Sequence, residues 1–363
     1  MPKSVGIGML GSGFIADFYA AGIELVRGAS IVANYSRGTE RRESFATRHE
    51  VPRSHASIEA LCADPSVDIV VVALPNHQHL AAVRAATTAG KAVVCTKPLG
   101  RNAVEAAEMV RLVRTAGVMG GYAENIVFSP DLVKIREIVA SGAIGTVLSV
   151  RAREGHSGPH AEHFWDAETA GGGALLDMGC HCLEAARVIF GKDVVIRDVF
   201  AWGATLSHGQ RTTGEDNALM LVRFEDGRTA TIEASWSAKG GLEARTEVTG
   251  EDGRVVADSM STSIRAFLGS PATYVAEKID ADTGWVFPVA DEARVHGYDA
   301  QFRHFVGAFR DGIRPRETFE DGYVVNATID AAYRSMKSGN WEPVELDDDL
   351  TTVPSSPASS GRR

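Results

Sequence analysis

Val5-Gly-Ile-Gly-Met-Leu10 leads without interruption into Gly11-Ser-Gly13-Phe-Ile-Ala16, an apolar β-rich run followed by a glycine turn and a helix opening near Phe14. Gly11 suits a tight turn, Gly13 lets backbone approach a pyrophosphate, and small Ala16 permits close packing of helix on strand. The start of that helix offers free N–H groups and the positive end of a dipole to phosphate. This is a dinucleotide fingerprint by virtue of its context, and the context continues downstream. Ile31 to Ser36, Ile69 to Leu74, Ala92 to Thr96 and Val118 to Tyr122 read as further strands separated by helical stretches. Such alternation requires a parallel sheet with crossover helices, an α/β domain over residues 1–123. Within it Ala103, Ala106, Met109, Val113 and Ala116 form one apolar helical stripe, and Gly90 and Gly117 stand where helices should stop.

At the end of the second strand, where an acid would bind an adenine ribose, the chain has Ser36-Arg37, with Arg41 and Arg42 following. A hydroxyl and a guanidinium suit a 2′-phosphate that a carboxylate would repel, so the expected cofactor is NAD or NADP with a lean to NADP. Gly11, Gly13, Phe14, Ile15, Ser36 and Arg37 are the cofactor residues this region provides.

With 363 residues, 44% hydrophobic and 23% charged, the chain is long enough for two globular domains and a cleft between them. A net charge of -10 argues against a nucleic-acid partner, and no apolar run approaches the roughly 20 residues of a membrane span. No charged leader with an apolar segment precedes the first strand, so the expected location is the cytoplasm. The four cysteines, Cys62, Cys95, Cys180 and Cys182, lack Cys-x-x-Cys spacing, which points to free thiols and to no metal site.

Beyond residue 124 long alternating strands appear, with Asp226-Gly227 and Asp252-Gly253 as hairpin turns between them. They predict an antiparallel sheet in a domain spanning 124–345. Ala230, Ile232, Ala234 and Trp236 face one side, Thr229, Thr231, Glu233 and Ser235 the other. A sheet covered on one side is a candidate interface for a homodimer or homotetramer. Two helices follow, one with Phe302, Phe305, Val306 and Phe309 on a stripe, the other from Thr318 to just before Gly339. Both can pack back on the first domain, and residues 346–363 read as a poorly packing tail.

Three further segments extend the fingerprint: Leu74-Pro75-Asn76-His77-Gln78-His79, Cys95-Thr96-Lys97-Pro98-Leu99, and Gly171-Gly-Gly-Ala-Leu-Leu-Asp177-Met-Gly-Cys-His181. In order and spacing the chain resembles the glucose-fructose oxidoreductase, inositol dehydrogenase and MocA family (Gfo/Idh/MocA). The resemblance implies a Rossmann domain, a second α/β domain built on a large open antiparallel sheet, and hydride transfer to or from a ring carbon of a carbohydrate-like small molecule. It assigns Lys97, Asp177 and His181 to catalysis, and Leu74, Pro75, Asn76, His79, Thr96, Lys97 and Asn125 to the cofactor. Thr96 replaces the usual Glu before the lysine, and Glu184 stands where many members have Asp.

Oxidising a secondary alcohol requires a base at the hydroxyl. His181 titrates near working pH, and Asp177, four residues earlier, would share its helix face and orient it or hold a neighbouring hydroxyl. Lys97, at the C-terminal end of a parallel strand, would stabilise an alkoxide, and the two could exchange roles. The segment from Glu154 to Trp165 is dense in polar and aromatic residues; Trp165 is expected to stack on a sugar ring, with His156 and His160 reaching hydroxyls. Two other readings stay open here, an NAD-dependent glycoside-cleaving enzyme and a non-catalytic sensor.

Overall fold

A computed structural model describes residues 4–258, 266–268, 283–286 and 291–351. Six strands, β1 (Val5–Leu10), β2 (Ala29–Tyr35), β3 (Ser54–His55), β4 (Ile69–Val72), β5 (Ala92–Thr96) and β6 (Gly120–Ala123), form an all-parallel sheet in the order β3-β2-β1-β4-β5-β6. The five strands expected from the pattern are present. The sixth, β3, is a two-residue polar edge strand that no hydrophobic periodicity marks. β1, β4 and β5 are buried at every position, which explains their unbroken apolar runs.

The second sheet contains β7 (Val147–Gly155), β8 (Ile196–Ala204), β9 (Asn217–Phe224), β10 (Thr229–Ser235), β11 (Glu243–Gly250) and β12 (Arg254–Asp258). The pairs β13 (Ala266–Leu268) with β14 (Gly284–Val286) form a separate ribbon, and β15 (Glu342–Pro343) closes the large sheet, whose order is β12-β11-β7-β10-β9-β8-β15. The sheet is mixed, not wholly antiparallel as expected: β7 and β10 run parallel. The hairpin signals could not show this, because the chain between β7 and β10 passes through two α-helices and two strands. Both predicted hairpins are in register, β9 with β10 and β11 with β12.

One face of this sheet buries Val150, Ala152, Val199, Met220, Val222 and Ile232 against the helices Cys180–Phe190 and Phe319–Ser338. The other leaves Trp202, Leu219 and Leu221 exposed. The helix Tyr298–Asp311 crosses back onto the first domain, burying Phe302, Phe305 and Val306 against the helix Phe14–Glu24 and its core, at about 1.5–3 kcal/mol per side chain. The helix Phe319–Ser338 is fixed at its start by a capping box between Thr318 and Asp321, ends at left-handed Gly339, and wedges between the helix Ala103–Ala116 and β8. The chain therefore ties the two sheets together twice. The start of the expected tail is ordered: Leu350 is buried, Arg111 pairs with Asp347 at 3.0 Å, and Arg114 donates to the Leu350 carbonyl at 2.9 Å. Its remainder, 352–363, lies outside the described residues. No described helix is long and apolar enough to cross a membrane.

Candidate active site

The first strand ends at Gly11, whose φ of 119° and whose closeness to the Ala73 carbonyl, 2.1 Å from where a Cβ would stand, leave room for glycine alone. Nothing lies within 4 Å of a Cβ on Gly13, so the helix N-terminus is open to an approaching phosphate. Ala16 is fully buried under it, Ile15 half-buried, and Phe14 exposed with its edge on Phe18. This cradle fits a dinucleotide pyrophosphate. At the end of β2 the Ser36 carbonyl accepts from Arg42 Nη1 at 3.2 Å, while Arg37 is exposed.

The Leu74–His79 and Lys97–Leu99 segments leave the C-terminal ends of β4 and β5, where open α/β sheets bind ligands. Several of their side chains hold the loops together. His79 is completely buried, with Nδ1 3.1 Å from the Leu99 carbonyl and Nε2 2.8 Å from that of Leu74, so it braces the two loops and does not face the cleft. Asn76 Nδ2 donates to the Ala170 carbonyl at 2.8 Å, tying the first domain to the second. Thr96 accepts from the Tyr19 hydroxyl at 2.8 Å, and Asn125 Nδ2 donates to the His296 carbonyl at 2.9 Å. Leu74 and Pro75 complete the loop after β4.

In the second domain the triple glycine brings distant groups into contact. A Cβ would stand 2.1 Å from the Tyr333 hydroxyl at Gly172 and 2.1 Å from the Glu215 carbonyl at Gly173. Tyr333 and Glu215 bind the segment's amides instead, and the chain passes through one π-helical turn, Leu175–Gly179, into the helix Cys180–Phe190. Such turns gather at functional sites because the extra residue redirects side chains.

That turn delivers Asp177 to Lys97. Lys97 Nζ donates to the Asp177 carboxylate at 2.9 Å and to its carbonyl at 2.7 Å, and the other carboxylate oxygen accepts from Trp236 Nε1 at 3.0 Å. The acid bonded to His181 is not Asp177, as its place four residues earlier suggested, but Glu124, one residue past β6: His181 Nδ1 and Glu124 Oε1 are 2.5 Å apart and both buried. The π turn is the physical reason, since it breaks the simple helical spacing between 177 and 181.

Charge follows from these contacts. Burial works against the Lys97 ammonium, but the adjoining Asp177 carboxylate outweighs it and holds Lys97 above its ordinary range. Burial likewise works against a charged His181, and the Glu124 and Glu154 carboxyls overcome it, raising the imidazole. Burial pushes Glu154 up to about 7.

The loop before the π turn differs from expectation. Trp165 is buried, with Arg211 4.0 Å over its ring and its edge toward Trp236 and His208, so it supports the Trp236 that holds Asp177 and has no face for a sugar. His156 is buried and accepts from the Gly158 amide at 2.9 Å; His160 is exposed, its ring 5.4 Å from that of Phe14. His163, beside Phe164, is pushed down to about 4 by burial. Glu184 points away from the site into a buried ion cluster with Arg187 and Lys192. Glu124, Cys180 and His181 place ligand-type atoms within 4.8 Å of one another, although Glu124 and His181 bond each other and Cys180 donates to the Asp177 carbonyl at 3.3 Å. Sequence reasoning missed Glu124, Trp236 and His296. For Glu124 a signal existed, an acid directly after a parallel strand, the same position that singled out Lys97.

Two stretches match family models: residues 5–123 an oxidoreductase family with NAD-binding Rossmann fold, and residues 132–256 the GFO/IDH/MocA C-terminal domain. The chain belongs to the Gfo/Idh/MocA family. It is 30% identical over 234 residues to trans-1,2-dihydrobenzene-1,2-diol dehydrogenase of Bos taurus, a match covering 64% of this chain and 68% of the relative. Against the Mus musculus enzyme of the same name the chain spans 56% of the relative's length. It is 29% identical to 1,5-anhydro-D-fructose reductase of Ensifer adhaerens over 93% of this chain and 98% of that one. Among solved structures, GenD2 from gentamicin A biosynthesis in complex with NAD is similar, with a TM-score of 0.89 and 30% identity over 95% of this chain and 98% of that chain. This Gfo/Idh/MocA protein is accordingly an oxidoreductase with a nicotinamide-dinucleotide-binding Rossmann domain.

Proposed function

We propose that the enzyme transfers a hydride between NAD(P) and a secondary hydroxyl or ketone of a sugar, glycoside or cyclitol. One observation carries the reading: at the C-terminal edge of the parallel sheet Lys97 pairs with Asp177 of the second domain, and His181 bonds Glu124, one residue past β6. Nicotinamide supplies the hydride chemistry when bound. Lys97, kept charged by Asp177, stabilises the developing alkoxide oxygen. With Nδ1–H donated to Glu124, the neutral imidazole of His181 presents Nε2 as acceptor, and this nitrogen takes the hydroxyl proton in oxidation and returns it in reduction. Asp177 is a positioning residue for Lys97, and the 2′-phosphate preference rests on Ser36 and Arg37.

The test is a screen of monosaccharides, inositols and glycosides for absorbance change with NAD and NADP. Lys97→Ala and His181→Ala are each expected to lose about 10²–10⁴-fold in kcat while binding dinucleotide normally. Full activity in both variants overturns the assignment, and glycoside cleavage without net change of added cofactor redirects it to the glycoside-cleaving reading. The exposed Trp202, Leu219 and Leu221 on β8 and β9 support a homodimer or homotetramer through the open sheet face. Leu221→Glu is expected to shift sedimentation toward monomer; an unchanged coefficient overturns that interface.

A further inference from the structure

Glu154 acts on the charge of His181 but has no partner of its own in the proposed chemistry. It lies on β7 on the same face as buried Val150 and Ala152, and its cross-strand neighbours are Ala234 on β10 and Ala244 on β11. Two alanines leave the carboxyl uncovered on either side. It opens into a cavity that also takes in His181, Asn125, Leu242 and His296. Among the described residues no side chain hydrogen-bonds or ion-pairs with it, although Lys97, His181, Glu124 and Asp177 are all close enough to act on its charge. Glu154 is half-buried, with its side chain on the cavity and not in the closed core. Partial loss of water, offset by the nearby His181 and Lys97, pushes the carboxyl up to about 7.

The geometry points to Glu154 as the specificity residue of the site: its carboxyl accepts a hydrogen bond from a second hydroxyl of the substrate, so the enzyme takes polyhydroxylated rings in preference to lone secondary alcohols. This rests on the alcohol–ketone reading above. The carboxyl shares its cavity with the imidazole that handles the proton, so a ring held at His181 can place another hydroxyl against Glu154. A site built to pair a hydroxyl discriminates against the analogue lacking it, because the half-buried carboxyl then loses that partner.

Steady-state kinetics of wild type, Glu154→Gln and Glu154→Ala would use myo-inositol, D-glucose and methyl β-D-glucoside, each beside its monodeoxy counterparts. In Glu154→Ala, KM for the polyol that wild type uses best is expected to rise about 10- to 100-fold, with kcat compared on the pH plateau of each variant nearly kept because losing this carboxyl moves only the His181 limb to lower pH, while dinucleotide affinity is unchanged. Glu154→Gln, which keeps an acceptor oxygen and the shape, should recover most of the loss. One monodeoxy counterpart should be handled equally poorly by wild type and Glu154→Ala. An unchanged KM in Glu154→Ala, a loss in kcat alone, or equal damage in both variants with weakened dinucleotide binding overturns the inference. If wild type turns over none of these polyols, the alcohol–ketone reading fails and takes this one with it; turnover by wild type with indifferent variants removes this one alone.

Discussion

Lys97 and His181 lie near enough for the charge of one to act on the other, yet they are held differently. Lys97 comes from the parallel sheet and is gripped by both the carbonyl and the carboxylate of Asp177, with its side chain still 18% exposed. His181 comes from the second domain and is sealed against Glu124, which is wholly buried. The first arrangement fixes a charge, since Asp177 holds the amine protonated far above neutrality. The second leaves a group that titrates, raised by two acids but still an imidazole. In the proposed reaction the difference separates the work: an invariant positive charge for the oxygen, and a group whose proton comes and goes.

Glu124→Gln is the strongest way to break this contrast without touching either catalytic side chain. The amide no longer enforces Nδ1–H on His181, and activity should fall about 10- to 100-fold. The pH profile carries the sharper information. Because Glu124 raises His181, and alcohol oxidation needs the imidazole neutral, the rate of oxidation should climb with pH through that raised value. Removing the carboxylate's charge should move the limb to lower pH, and the falling limb of ketone reduction should move the same way. Profiles that stay in place would show that His181 is not the titrating group. Trp236→Phe probes the other pair more gently. It leaves one Asp177 oxygen without its indole donor in a buried setting, so a loss of about 1–3 kcal/mol in stability is expected, read by denaturant unfolding, with turnover down only a few-fold. An unfolding midpoint equal to wild type would mean that Asp177 does not depend on the indole.

The two pairs were also unequally legible. Lys97 and Asp177 both belong to motifs with a recognisable residue order, and β1, β4 and β5 announce themselves as apolar runs because both their faces are covered. The helix beginning at Thr318 was readable from its cap and its terminal glycine, which are local signals. His181 was readable but its acid was not, because a π-helical turn upsets the four-residue argument and the true partner lies 57 positions away in sequence. The aromatic loop misled for a related reason. Composition says that Trp165 is large and amphipathic, but not that Arg211 and Trp236 cover it. The parallel pairing of β7 with β10 is likewise a long-range choice that no hairpin signal records.

The smallest expected effect concerns the cofactor, far from either pair. Ser36 turns its carbonyl to Arg42, so Arg42 is already occupied in shaping the turn after β2, whereas Arg37 extends into solvent. If the turn reads a 2′-phosphate, Arg37 is the group that gains a charge-assisted contact on binding. Its exposure keeps that contact modest, because water and salt screen it. Arg37→Ala should therefore weaken NADP by roughly tenfold at low salt and by less at high salt, while NAD affinity stays within about twofold. Fluorescence titration of both dinucleotides at two ionic strengths measures this directly. Equal affinities for NADP before and after the substitution would make the turn a solvated basic surface and remove the only argument for a phosphate preference. The two catalytic pairs would be unaffected by that result, since neither depends on how the far end of the dinucleotide is recognised.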